Sequence, residues 1–194
     1  MSLKARKTYR IFAGIVFPLI YYFSPNKIIV EMLILYLLGI MTPIEVIRHL
    51  SPNLWKVMVE HSHGILREKE GFIISGTTAF LLSNAIVIAF FKKWIAIVSL
   101  SYMLFGDAAA SIIGTKYGKI KIGEKTLEGS LAFFITTMII ALIFSEWIKV
   151  PIHLIILIFG AIAATIGEAL PLKINDNFTV ALISAIIMHI FSLY

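Results

Sequence analysis

WIAIVSLSYMLFGDAAASII, residues 94–113, runs for twenty residues with one charged side chain, Asp107. At about 1.5 Å per residue a helix of this length covers about 30 Å, the thickness of a bilayer's hydrocarbon core. The apolar residues are continuous and do not alternate with polar ones, which excludes a barrel strand. Six further stretches have the same character, at about 10–23, 28–47, 71–91, 130–148, 151–170 and 179–194, the first and last being the shortest. The fold expected is all-α: a polytopic membrane bundle of about seven transmembrane helices, forming a single transmembrane domain over residues 1–194. Spans of about 20 residues leave only short connections, so an active site must be built from helix ends and loops.

Composition supports this. The chain has 194 residues, 59% hydrophobic and 14% charged, with a mean hydropathy of +0.94. A disordered chain shows the reverse balance, and a soluble domain of this size cannot hide so much apolar surface. The absence of cysteine excludes a disulfide scaffold, a thiolate metal site and a cysteine nucleophile. The first span follows Lys4, Arg6, Lys7 and Arg10 like a signal peptide, but Ser24-Pro25-Asn26 lacks a small-x-small cleavage pattern and predicts a retained anchor. With the N-terminus inside, seven alternating spans put thirteen Lys and Arg residues on the inner side and four (Lys27, Lys92, Lys93, Lys149) outside. The positive-inside rule therefore places the N-terminus in the cytoplasm and the C-terminus outside. The net charge of +6 is mostly topology, and no nucleic-acid partner is expected.

A charge inside a span costs roughly 2.5–3.5 kcal/mol at mid-membrane, so a buried acid asks for a reason. Asp107 lies seven residues before Gly114, about 10 Å along the helix and at the depth of a headgroup's first methylenes. Gly106, Ala110 and Gly114 form a small-residue stripe, and Ser111 lies one turn from Asp107. Glu168 likewise continues the stripe Gly160, Ala164 near the inner end of its span. The competing readings are packing alone, a lysine-paired acid for Asp107 and a snorkelling interfacial acid for Glu168, and the functional reading is preferred for both. Asn175-Asp176-Asn177 opens the last span, where Asn and Asp are also preferred helix caps. Glu45 with Arg48, and Arg67 with Glu70, gather at the inner ends of the second and third spans, at a spacing that also suits plain surface ion pairs.

The segment Gly114–Ser130, GTKYGKIKIGEKTLEGS, packs four lysines and four glycines into 17 residues. Glycines admit an anion to backbone amides and lysines offer point charges to phosphate; the same composition suits a loop touching anionic lipid. No Walker A spacing fits it. The five histidines show no metal-ligand spacing, and no nucleophile elbow or dinucleotide fingerprint occurs. Gly76–Leu82 and Gly129–Ile135 are faintly alike and both follow inner loops, a hint of internal duplication. Asp107, the lysine loop, Glu128, Glu168 and Asp176 come from separate spans, yet the topology gathers them at one membrane face. Acids and lysines at an interface suit chemistry between a phosphorylated soluble donor and a lipid. An ion-relay transporter would instead spread its acids through the membrane's depth.

Gly106–Gly114 (GDAAASIIG), Tyr117-Gly118-Lys119 and Lys125–Ser130 (KTLEGS) together resemble the signature of the CTP-dependent polyprenol kinase family. It includes dolichol kinases, phytol kinases and CTP-dependent diacylglycerol kinases, and is related to phosphatidate cytidylyltransferases. The resemblance extends to Arg67-Glu68-Lys69-Glu70 with Gly76 and to Asn175–Thr179, covering about residues 45–185. Asn175 stands where the family usually has Asp, and the basic C-terminal signature of classical cytidylyltransferases is missing, which favours kinase over cytidylyl transfer. The resemblance implies transfer of the γ-phosphate of CTP to a long-chain isoprenoid alcohol at the cytoplasmic face, with Mg2+ or another divalent cation. It implies that Asp107 holds the metal or accepts the hydroxyl proton, and that Glu128 is a second metal ligand or orienting acid. Lys116, Lys119 and Lys125 would contact the triphosphate, with Thr126, Gly114, Gly118 and Asn177 in the nucleotide site. Glu168 and Asp176 would complete the metal or nucleotide site, supported by Arg67, Glu70 and Ser111. Partners expected are CTP, the lipid alcohol and membrane lipids, with a homo-oligomer left open. Diacylglycerol as acceptor, and cytidylyl transfer to a lipid phosphate, are the enzymatic alternatives.

Overall fold

Hydropathy decides which segments become helices here, and capping side chains set where four of them start. The computed structural model describes residues 14–61, 74–123, 125–170 and 175–193. Arg67, Glu70 and the lead-in to the third apolar stretch lie outside these residues. The helices are α1 (Gly14–Phe23), α2 (Lys27–Leu50), α3 (Pro52–His61), α4 (Gly76–Phe90), α5 (Lys93–Tyr117), α6 (Leu127–Leu142), α7 (Leu154–Ala169) and α8 (Asp176–Phe191). A π-helical turn, Ile143–Trp147, continues α6. Three of these segments, Lys27–Leu50, Lys93–Tyr117 and Leu127–Trp147, are long and apolar enough to cross a membrane, and α1, α4, α7 and α8 are shorter apolar helices. The protein is an all-α membrane bundle.

Side-chain caps fix the starts of α2, α4, α6 and α8, while α5 and α7 begin without one. Asn26 accepts from Ile28 N, Ser75 from Thr78 N, Thr126 from Gly129 N and Asn175 from Asn177 N, each satisfying a backbone donor that the first turn leaves free. These caps explain why α6 and α8 begin three residues before the apolar stretches at 130 and 179. α3 is the element that hydropathy does not announce: a ten-residue helix with Pro52 at its first position, where the missing N–H does no harm.

α5 carries the core. Residues 95–104 are buried without interruption, and α5 packs on α4, α6, α7 and α8. Tyr102 is wholly buried and donates its hydroxyl to the Leu157 carbonyl at 3.0 Å, while Ser184 on α8 donates to Gly160 O at 3.1 Å. Between helices in lipid, close backbone approach and such bonds replace the hydrophobic drive of water. A Cβ on Gly160 would lie 2.5 Å from Met188 Cγ, and one on Gly106 2.5 Å from the Phe133 ring, so both glycines are there for contact between helices. The outer surface is apolar, with Trp147 83% exposed and α2 mostly uncovered, as a lipid-facing surface requires.

The two ends differ in chemistry. At one end Lys27 donates to Ala89 O at 3.2 Å and Lys93 to Ser24 O at 2.9 Å, tying helix termini together. At the other end lie the C-terminal turns of α2, α5 and α7, the starts of α4, α6 and α8, and the lysine-rich segment. That segment folds into a small antiparallel hairpin, β1 (Lys121–Ile122) and β2 (Lys125–Thr126), pairing Lys121 with Thr126 and Ile122 with Lys125. Gly123 turns it with φ 61°, a conformation that glycine adopts without a Cβ penalty.

Candidate active site at the hairpin end

The hairpin grows out of the contact between α5 and α6. Thr126 sits in a nest of glycines: a Cβ on Gly114 would lie 2.9 Å from Thr126 Oγ1, one on Gly118 2.5 Å from Thr126 Cγ2, and one on Gly129 3.0 Å from Thr126 Oγ1. Gly114 and Gly118, expected beside phosphate, thus seat Thr126 and let the start of α6 approach α5. Leu127 N donates to Ile120 O at 2.9 Å. Both oxygens of Glu128 receive the Ile120 N–H, each at 3.3 Å. Glu128 therefore fixes the strand entering the hairpin, next to Lys119.

At the other strand, Lys125 Nζ lies 3.1 Å from Glu168 Oε1 and 2.9 Å from Asp176 Oδ2, and donates also to the Glu168 backbone carbonyl. Glu168 is only 6% exposed, and its Oε2 accepts from Ser130 Oγ at 2.9 Å. Three of the expected site residues, Lys125, Glu168 and Asp176, are thus brought together from β2, α7 and α8, but onto one another. Asn177 joins the same end, donating from Nδ2 to Gly76 O at 3.3 Å. Asp107 is half-buried on α5, with Ser111 half-buried one turn on. Lys116, Lys119 and Lys121 are exposed, with Lys116 Nζ 5.0 Å from the centre of the Tyr117 ring.

Two features escaped the sequence. Ser130 stands in the quoted KTLEGS run, yet its partner Glu168 is 38 residues away and nothing local signals the bond. Glu45 pairs with Arg48 at 3.0 Å, as its spacing suggests, but also accepts from Ser75 N and Thr78 Oγ1, each at 2.7 Å. It thereby anchors the start of α4 to the end of α2.

Among the described residues no group of three or more histidines and acids is placed to hold a metal ion. Magnesium does not require one: one or two carboxylates suffice when substrate phosphates complete the shell. Glu168 has both oxygens engaged and Asp176 shares the same ammonium.

Comparison with known proteins bears on the family. No family model and no solved structure matches the chain. It is 29% identical over 184 residues to uncharacterized protein RP860 of Rickettsia prowazekii, covering 92% of this chain and 89% of that one. It is 30% identical over 149 residues to CTP-dependent diacylglycerol kinase 1 of Eremothecium gossypii, covering 64% of this chain and 47% of the relative. Over 49 residues it is 49% identical to dolichol kinase of Saccharomyces cerevisiae, covering 24% of this chain and 9% of the relative. The chain thus spans about half the length of the Eremothecium kinase and a small part of the yeast one. An apolar helical bundle, a glycine- and lysine-rich segment joining α5 to α6 with acids around it, and similarity to these kinases agree with one another and support the resemblance to the CTP-dependent polyprenol kinase family.

Proposed function

We propose that the protein transfers the γ-phosphate of CTP to the hydroxyl of a long-chain isoprenoid alcohol, of the dolichol or polyprenol type, at the cytoplasmic face of its membrane. The observation that carries this reading is that α5 holds a half-buried acid, Asp107, in its apolar run and leads at its C-terminal end into a segment that exposes lysines. Phosphoryl transfer asks for charge neutralisation and in-line positioning more than for covalent chemistry. Lys116 and Lys119 supply positive charge for the triphosphate, and Glu128 orients the segment that carries Lys119. Asp107 either accepts the proton of the lipid hydroxyl or holds a magnesium ion with the phosphates of CTP. Bound there, the ion would neutralise charge on the departing CDP. The lipid oxygen forms the new bond to the γ-phosphorus and gives its proton to Asp107 or, where Asp107 would hold the ion, to the transferred phosphate; the bond from that phosphorus to the β–γ bridging oxygen breaks, and CDP leaves.

A second acceptor has its own support, because the relative in Eremothecium gossypii carries the name of a diacylglycerol kinase and matches a longer stretch than the dolichol kinase does. Purified protein in liposomes, given CTP or ATP with dolichol, a shorter polyprenol or diacylglycerol, separates the two. Our reading expects CTP-dependent phosphorylation of the isoprenoid alcohols at several times the rate with diacylglycerol. Transfer to diacylglycerol alone would overturn the acceptor assignment, and the absence of any phosphorylated lipid would overturn the kinase reading.

A further inference from the structure

α3 is too short to cross a membrane, yet one of its faces displays apolar side chains that the fold leaves uncovered. Its ten residues extend about 15 Å, about half the thickness of a hydrocarbon core. A helix of this length is marginal in water unless its faces are held. It begins where the backbone of Ser51, at φ −137° and ψ 81°, breaks away from α2, and it packs on α2. With 3.6 residues per turn its side chains fall into three rows. Trp55 is buried, with Met58 and Val59 half-buried beside it. Asn53, Lys56 and Glu60 are polar and exposed. Between these two rows lie Leu54 and Val57, 47% and 49% exposed and three residues apart, on one side of the helix.

The third row continues an apolar surface that α2 already presents. Ile29, Met32, Tyr36, Val46 and Leu50 lie at helical spacing along α2 and are all exposed, Leu50 by 78% at the last residue of the helix. On a spanning helix such a face meets acyl chains. Leu54 and Val57 follow directly after the break, at the hairpin end of the bundle. Lys56 and Glu60 balance each other in charge, so attraction to anionic headgroups contributes little, and apolar insertion is the force that remains. We propose that α3 is an in-plane membrane helix. Trp55 fixes it to the bundle, Leu54 and Val57 enter the boundary between headgroups and acyl chains in the leaflet at the hairpin end, and Asn53, Lys56 and Glu60 stay in water. α3 thereby sets the level of that leaflet against the end of α2, whatever reaction the bundle catalyses.

The chain has no cysteine, so single cysteines can each carry a nitroxide label. Leu54→Cys, Val57→Cys, Lys56→Cys and Glu60→Cys all replace exposed residues and remove no buried side chain. In the full-length protein, reconstituted in phosphatidylcholine liposomes, power-saturation EPR compares relaxation by oxygen, which concentrates in lipid, with relaxation by a water-soluble nickel chelate. Labels replacing Leu54 and Val57 should sit about 5–10 Å into the headgroup–acyl boundary, with an oxygen-to-nickel ratio about fivefold or more above labels replacing Lys56 and Glu60. Adding phosphatidylglycerol should leave that contrast unchanged. If labels replacing Leu54 and Val57 are as open to nickel as those replacing Lys56 and Glu60, α3 lies in water and the proposal is overturned. Shielding of the first pair from both reagents would assign that face to protein, a second copy included, and would overturn it too. So would insertion that occurs only with phosphatidylglycerol present, because charge would then be the force.

Discussion

Asp107 is the residue whose presence apolar packing least explains. It interrupts a twenty-residue apolar run and sits half-buried on the helix that carries the core. Asp107→Asn keeps the shape and removes the charge, so it should lower kcat by about 10²–10³ or more, while the protein still partitions with membranes. Turnover of the purified variant beside wild type, with membrane fractionation of both, checks this; activity within a few-fold of wild type contradicts the role. Residues like this one are legible in a sequence because their cost is local: a carboxylate among Phe105, Gly106 and Ala108 needs no partner to be noticed. Ser130 and Glu45 are not, since their importance lies in bonds to residues 30 or more positions away. Lys125, Glu168 and Asp176 stand between these cases, because topology brought them to one end but did not reveal that they hold one another.

The hairpin is the element on which the candidate site depends, and its anchors lie in side chains at its base. Glu128 receives the Ile120 N–H, so Glu128→Ala should loosen the strand beside Lys119 and raise KM for CTP several-fold with kcat nearly unchanged. Steady-state kinetics over a range of CTP concentrations separates this from a direct chemical role, which would lower kcat instead. Gly118→Ala tests the glycine nest. Its Cβ would meet Thr126 Cγ2 at 2.5 Å and Oγ1 at 2.8 Å, an overpacking that should cost about 1–3 kcal/mol and appear as a lower melting temperature. The hairpin was hidden from sequence reasoning because its strands are two residues long, too short for alternation to register. Gly and Lys in that segment read equally well as a solvated loop. Helix ends were displaced for a related reason: hydropathy marks the lipid-matched part of a helix, while Thr126 and Asn175 start α6 and α8 outside it.

At the scale of the whole molecule, the charge of +6 divides between two ends. Lys116, Lys119, Lys121 and Lys125 belong to the hairpin end, and Lys27 and Lys93 tie helix termini at the other. We propose, on the positive-inside rule, that the hairpin end faces the cytoplasm. A cysteine-free chain makes the test direct: in intact cells an impermeant maleimide should label a Lys149→Cys variant and spare Lys119→Cys until the membrane is opened. The opposite pattern would invert the bundle. The central claim, that this end of the bundle phosphorylates a lipid alcohol from CTP, is tested most directly by following label from two positions of the nucleotide. Reconstituted protein is given dolichol with CTP labelled at either the γ- or the α-phosphate. Our account predicts that γ-label enters the lipid and α-label does not; α-label in the lipid, or label from neither position, would contradict it.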